Sequence, residues 1–352
     1  MKILVTSGGT GGHIYPAVSL IKYLENNGEE VIFVGAKNKM EEEIASKEEI
    51  KFIGLEIANR NGILNKLKFI ITMIKSFFKS FEILRNFNAD IIIGFGNYIS
   101  VPVCLAASLK HIPIVLHEQN SVIGKANLLL GYVSKKVGYS IPLKKQFHKN
   151  KLVNVGNPRA SECLKSVVVD NKKIDVTKNN VLIFMGSLGS STINIVLKEF
   201  VKNNNDNNIY HIVTGKKHYE KFIKDIAVKD NIKIYPYVED MISLMKKCDL
   251  IVTRSGATTI SEIITLGLAS ILIPSPYVVN NHQYYNANYL KENGAAVIIE
   301  EKDFNVRSLK ENIDFLLNNN EERIKLRINS LKLAVFDSNN KIYKLIKEIV
   351  YE

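Results

Sequence analysis

Short apolar runs alternate with segments of helical period along most of this chain, and the alternation starts twice. Ile3–Thr6, Val31–Gly35, Ile91–Gly94, Ile114–His117, Val133–Tyr139 and Leu152–Val155 read as strands, with a helix near Pro16–Asn26 after the first. Near-continuous apolar strands separated by helices indicate a parallel sheet covered on both faces. A polar, Lys-, Asn- and Asp-rich stretch from Ser161 to Asn180 interrupts the rhythm. It resumes at Val181–Met185, Ile209–Thr214, Ile232–Tyr235, Leu250–Thr253 and Ile271–Pro274. The expected fold is α/β, with two doubly wound Rossmann-like parallel-sheet domains at residues 1–158 and 159–352. The junction is expected near Gly156-Asn-Pro158, with the last helix packing back on the first domain. A chain of 352 residues is long enough for two such cores. Sheets of this kind bind ligands at the carboxyl ends of their strands, so a cleft between the two is expected.

Several function classes are disfavoured early. Cys104, Cys163 and Cys248 are widely spaced, offer no metal-ligand pattern and suit a reducing cytoplasm. The first strand is expected to begin beside Met1, and no secretion leader is expected. The most apolar stretch, Leu67 to Phe87, is interrupted by Lys68, Lys75, Lys79, Glu82 and Arg85, so membrane contact is expected to be peripheral. A net charge of +12 calls for an acidic partner: nucleic acid, an anionic membrane or a phosphate-bearing substrate. The lysines and arginines are dispersed and no stacking-aromatic or helix-turn-helix pattern is evident, which disfavours nucleic acid.

Four motifs carry chemistry. Ser7-Gly-Gly-Thr-Gly-Gly-His13 joins a strand to a helix, and its four glycines in five residues exceed what a turn requires. Such a loop lets backbone approach a ligand and aims helix N–H groups at an anion. It is not a dinucleotide fingerprint, because Ile14 stands where glycine is needed and Gly35-Ala36 follow the second strand in place of an acid. No Gly-Lys-Ser/Thr follows, so it is not a P-loop either. His117-Glu-Gln-Asn120 sits at a strand end and is either a cleft-lining group or an ordinary polar loop. Thr253-Arg-Ser-Gly-Ala-Thr-Thr-Ile-Ser-Glu262 leads a strand into a helix starting near Ala257, with Ser255 and Gly256 able to cap it. Its N–H groups suit a diphosphate, and Glu262 suits a ribose diol or serves as a cap. Asn280-Asn-His-Gln-Tyr-Tyr-Asn-Ala287 brings amides and His282 that can bond sugar hydroxyls or simply start a helix.

Together these motifs resemble the MurG family of N-acetylglucosaminyltransferases, which convert lipid I to lipid II. Gly8-Gly-Thr-Gly-Gly-His13, Gly94-Phe-Gly-Asn-Tyr98, His117-Glu-Gln-Asn120, Gly156-Asn-Pro158, Arg254-Ser-Gly-Ala257 with Ser261-Glu262, and His282-Gln283 with Asn286-Ala287 fall in the family's order. The resemblance implies a GT-B fold of two Rossmann-like domains and inverting, metal-independent transfer from UDP-GlcNAc without a cofactor. It implies that Thr10, Gly11 and Gly12 face the donor sugar or diphosphate and that Asn120 contacts GlcNAc. Ser187 would sit on the diphosphate, and Val238 would meet uracil through its backbone. Ser255, Gly256, Ala257, Thr258, Thr259, Ile260, Ser261 and Glu262 would hold diphosphate and ribose. His282 and Gln283 would touch GlcNAc. Three positions depart from the family pattern: Leu188 replaces a glutamine, Arg159 follows Pro158 directly, and His282 stands where glutamine is common. They bear on donor contacts, including whether Arg159 reaches the diphosphate.

For the acceptor hydroxyl a general base is needed. His13 is the candidate, with Glu118 second; the alternative for His13 is a helix-start residue that bonds backbone or substrate without proton transfer. In the Leu64–Phe87 segment, Lys68, Lys75 and Lys79 share a stripe flanked by Leu64, Ile71 and Phe78. The opposite side, Leu67, Ile70, Ile74, Phe77, Phe81 and Leu84, is expected to face the core. The stripe reads as an anionic-membrane contact or as a solvated lysine face, and the lipid acceptor implied by the resemblance favours the membrane. The expected partners are UDP-GlcNAc, lipid I and the cytoplasmic membrane surface, with cell-wall synthesis and division proteins beyond them. The rivals are a UDP-GlcNAc 2-epimerase on the same fold and a non-catalytic binding protein.

Overall fold

The computed structural model describes residues 1–58, 63–145, 147–165, 178–186, 189–224, 226–227 and 229–351. The chain forms two units, Met1–Glu162 with Val335–Glu352, and Cys163–Ala334.

The first unit holds seven parallel strands: β1 (Lys2–Thr6), β2 (Glu30–Ala36), β3 (Phe52–Leu55), β4 (Ile91–Gly94), β5 (Ile114–Glu118), β6 (Lys136–Tyr139) and β7 (Leu152–Asn154). Their order is β3-β2-β1-β4-β5-β6-β7. Successive side chains of a strand point to opposite faces, so each apolar strand feeds two cores. Ile3 and Val5, Val31 and Phe33, and Ile91 and Ile93 meet Ile14, Leu20, Ile21 and Leu24 of the helix Gly11–Asn26. The chain's last helix, Ser338–Tyr351, adds Ile342, Leu345 and Ile346 to that layer. Leu4, Ile32, Val34 and Ile92 face the other way, onto Ile83, Leu84 and Phe87 of the helix Ile63–Phe87 and Val103, Cys104 and Ala107 of the helix Asn97–Leu109.

The second unit holds six parallel strands: β8 (Asn180–Phe184), β9 (Ile209–Val213), β10 (Ile232–Tyr235), β11 (Leu250–Thr253), β12 (Ala269–Leu272) and β13 (Val297–Ile298). Their order is β10-β9-β8-β11-β12-β13. One core layer joins Val181, Ile183, Tyr210, Ile212, Leu250 and Val252 to the helices Ser191–Asn203 and Val306–Asn318.

The helix Ile63–Phe87 departs from its expected facing. Leu84 is buried and Phe77 and Phe81 pack partly against the core, but Leu67, Ile70 and Ile74 are 60%, 55% and 53% exposed. Length is the reason. Twenty-five helical residues span roughly 37 Å, whereas the four-residue strands beside them span about 13 Å. Only the carboxyl half, from Ser76 onward, lies on the sheet, so the amino half presents apolar residues to solvent.

Candidate active site

In the first unit the loops after β1, β4, β5 and β7 meet. The glycines after β1 are dictated by space. A Cβ on Gly8 would lie 2.1 Å from the Ile99 side chain, and one on Gly9, at φ 92°, would lie 1.8 Å from the Asn97 amide. The Gly9 N–H donates to Glu41 Oε1 at 2.8 Å, and Glu41 is buried. The following helix begins at Gly11, inside the glycine run, five residues before the expected Pro16. Thr10 and Gly12 are exposed, and Gly11 and His13 are half-buried.

His13 Nδ1 lies 3.1 Å from the Phe95 carbonyl and 2.7 Å from Gln119 Oε1. The Gln119 amide nitrogen lies 3.0 Å from His117 Nδ1, and His117 Nε2 lies 2.8 Å from the Gly156 carbonyl. Burial, chiefly, lowers the His117 pKa to about 4, so this imidazole is neutral at physiological pH. Glu118 is buried and its oxygens are occupied: Oε1 accepts from the Asn120 N–H at 3.1 Å, and Oε2 from the Gly124 N–H and the Asn127 amide, each at 2.9 Å. Its geometry is that of a loop brace. Asn120 is half-buried beside it. Arg159 starts a short helix, pairs with Glu162 and lies over the Tyr15 ring at 5.5 Å. The guanidinium is thus held inside the first unit.

In the second unit, β11 runs into the helix Ala257–Leu266, capped by Gly256. The first turn of this helix, Ala257, Thr258 and Thr259, points its N–H groups outward from the helix start, the end of a helix dipole that favours negative charge. Ile260 is wholly buried and its N–H bonds the Gly256 carbonyl at 2.9 Å. Ser261 and Glu262 are also buried. Ser255 Oγ donates to the Gln283 carbonyl at 2.8 Å, and the Asn286 amide donates to the Ser255 carbonyl at 3.1 Å. These bonds clamp the turn to the helix His282–Glu292. That helix is entered through Asn280 and Asn281, both left-handed at φ 55° and 51°, a conformation asparagine tolerates better than most residues. Gln283 Oε1 accepts from the Ser275 N–H at 2.9 Å, which turns its amide nitrogen away from that bond. His282 Nδ1 lies 2.9 Å from the Val279 carbonyl, and Val238 is half-buried in the loop after β10. Ser187 and Leu188 lie outside the described residues.

One buried group of the third motif has no role assigned from sequence. Arg254 Nη1 donates to the Ile273 carbonyl at 3.0 Å and Nη2 to Ser190 Oγ at 3.2 Å. Nη2 also lies 2.6 Å from Glu301 Oε2, a close ion pair without hydrogen-bond alignment. Ser190 caps the helix Ser191–Asn203, so the arginine ties two helix starts to one carboxylate. Only its place beside the Ser255-Gly256 turn hinted at this.

Sequence comparison resolves the family. The glycosyltransferase family 28 N-terminal domain matches residues 3–139 and its C-terminal domain residues 180–349. A relative from Thermoanaerobacter pseudethanolicus is 38% identical over 99% of this chain and 100% of its own length. It is named UDP-N-acetylglucosamine--N-acetylmuramyl-(pentapeptide) pyrophosphoryl-undecaprenol N-acetylglucosamine transferase. The chain belongs to the MurG family of glycosyltransferases. The crystal structure of Acinetobacter baumannii MurG matches at a TM-score of 0.79 and 26% identity, covering 99% of each chain. A UDP-GlcNAc 2-epimerase structure from Neisseria meningitidis matches at 0.71 over 99% of this chain and 100% of its own, but at 16% identity. That likeness is one of fold, and the MurG family is where the full-length sequence match lies.

Proposed function

We infer that this chain transfers GlcNAc from UDP-GlcNAc to the muramyl 4-hydroxyl of lipid I, giving lipid II with inversion at the anomeric carbon. The end-to-end match to relatives named for this transfer carries the reading. In the reaction the acceptor oxygen bonds to the anomeric carbon as the bond to UDP breaks. The hydroxyl proton passes to a base and the electron pair leaves on the diphosphate. His13 is the favoured base, because its Nε2 has no partner among the described residues whereas both Glu118 oxygens are spent on the loop. Thr10, Gly11 and Gly12 offer exposed backbone beside it.

The first turn of the helix Ala257–Leu266 suits the diphosphate through its N–H groups, which stabilise the developing charge. Glu262 is read as the ribose contact, Gln283 and His282 as sugar contacts, and the Val238 backbone as the uracil contact. Asn120 is read as a GlcNAc contact from the first unit.

The exposed face of the helix Ile63–Phe87 supports peripheral attachment to an anionic membrane. Leu67, Ile70, Ile71, Ile74 and Phe78 present apolar surface, with Lys68, Lys75 and Lys79 exposed among them. Among the described residues no helix is long and apolar enough to cross a membrane.

A UDP-release assay with a short-chain lipid I analogue and EDTA tests the reading. UDP release that requires the acceptor supports it; acceptor-independent formation of UDP-ManNAc would replace it with the epimerase.

A further inference from the structure

Gln119 is buried, polar and outside every role assigned above. Its side-chain orientation follows from its neighbours. One end of the amide meets three acceptors: the Phe95 carbonyl at 3.2 Å, the His117 carbonyl at 3.1 Å and His117 Nδ1 at 3.0 Å. Only the nitrogen end can sit there, because an oxygen would face three lone pairs. His117 Nδ1 is an acceptor because the ring's proton is spent on the Gly156 carbonyl through Nε2. A charged His117 would present a proton on both nitrogens and set Nδ1–H against the amide nitrogen. Burial keeps that ring neutral.

With its nitrogen fixed, Gln119 must aim Oε1 at His13. His13 Nδ1 then faces two acceptors, Gln119 Oε1 at 2.7 Å and the Phe95 carbonyl at 3.1 Å. We propose that Gln119 is a positioning residue that holds the His13 proton on Nδ1, so that the Nε2 lone pair is the one offered to the acceptor hydroxyl. The proposal rests on the reading of His13 as the base. Hydrogen bonds run in one direction: His117 Nε2–H to Gly156, Gln119 N–H to His117 Nδ1, and His13 Nδ1–H to Gln119. In water an imidazole carries its proton mainly on Nε2, the form in which His13 could not accept a proton from that side. The tautomer is therefore imposed by the fold.

The test begins with the unmodified protein. Nitrogen-15 spectra of labelled histidine at about pH 8.5, above the titration range of an ordinary imidazole, report which ring nitrogen bears the proton. His13→Ala assigns the signal. The expected result is a His13 protonated on Nδ1; protonation on Nε2 overturns the proposal. In Gln119→Met the signal is expected to shift toward the Nε2 form. Turnover should then fall on the order of 100-fold, the scale of a mispositioned base, with KM for UDP-GlcNAc unchanged within about twofold. If Gln119 merely braced the loop, the variant would lower stability and raise KM while His13 kept its tautomer, which also overturns the proposal. The base reading is judged apart from these spectra. An unchanged kcat in His13→Ala would remove it whatever the tautomer, and the positioning role would fall with it.

Discussion

The backbone N–H of Gly9 donates to the carboxylate of Glu41 at 2.8 Å, and Glu41 is 1% exposed. Glu41 enters from the helix after β2 and fills space left by two missing side chains. A Cβ on Gly8 would lie 2.2 Å from its Oε1, and one on Gly35 2.9 Å from its own Cβ. The glycine loop is thus braced from beneath. Glu41→Ala removes the acceptor of the part-buried Gly9 N–H and opens a void beneath the loop, together costing about 1–3 kcal/mol. Glu41→Gln keeps an acceptor and should lose much less. Urea unfolding of both variants checks the order, and equal losses would show that the Gly9 bond is not the source.

Arg254 and Glu301 form a largely buried pair in the second unit, each side chain 10% exposed. Removing one member strands the other charge, at roughly 3–5 kcal/mol. Arg254→Ala should therefore destabilise the protein strongly. It should also raise KM for UDP-GlcNAc, because Ser190 and the Ser255-Gly256 turn lose their common anchor. Arg254→Lys keeps the charge but not the forked geometry and should fall between. Titration of UDP binding by calorimetry separates this from a loss of fold alone.

How much of this was legible in sequence depended on whether neighbours in the chain were neighbours in space. Ile91–Gly94, Ile232–Tyr235 and Leu250–Thr253 emerge as strands with the expected bounds, because buried parallel strands are short apolar runs. β3, Phe-Ile-Gly-Leu at a half-exposed edge, and the two-residue β13 carry too little pattern to read. Val133 belongs to no strand and is 39% exposed; β6 begins at Lys136. The absence of an acid after β2 was plain, but that a carboxylate arrives from the next helix was not, since Gly9 and Glu41 stand 32 residues apart. Likewise the helical period of Leu67–Phe87 marked an apolar side without revealing where the sheet beneath it stops.

That overhanging helix makes a prediction about lipid. Replacing Ile70, Ile74 and Phe78 together with serine should weaken binding to vesicles containing anionic lipid. It should leave stability within about 0.5 kcal/mol per site, since exposed positions contribute little to folding. Changing Lys68, Lys75 and Lys79 to glutamate should weaken binding further and remove its salt dependence. Undiminished co-sedimentation by both variants would exclude this face.

Acid should destabilise the fold through two histidines. Burial lowers the pKa of His117 and of His211 from 6.5 to about 4. Between those values the unfolded chain takes up protons that the folded chain refuses. Stability is therefore full above about pH 6.5 and is lost as pH falls toward 4, by up to about 3 kcal/mol for His117 and by less for His211, which solvent screens more. His211→Phe should flatten part of the fall in urea midpoint between about pH 6.5 and 4.5. A slope unchanged by the substitution would place the acid sensitivity elsewhere.

The most direct measurement follows the sugar itself. Protein is incubated with UDP-GlcNAc radiolabelled in the hexosamine and a short-chain lipid I analogue, and the products are separated by chromatography. The expected result is label in a lipid-linked disaccharide joined through a β linkage to the muramyl 4-position, with turnover lost in His13→Ala. Label that remains on the nucleotide, or returns as UDP-ManNAc with no acceptor present, would contradict the assignment.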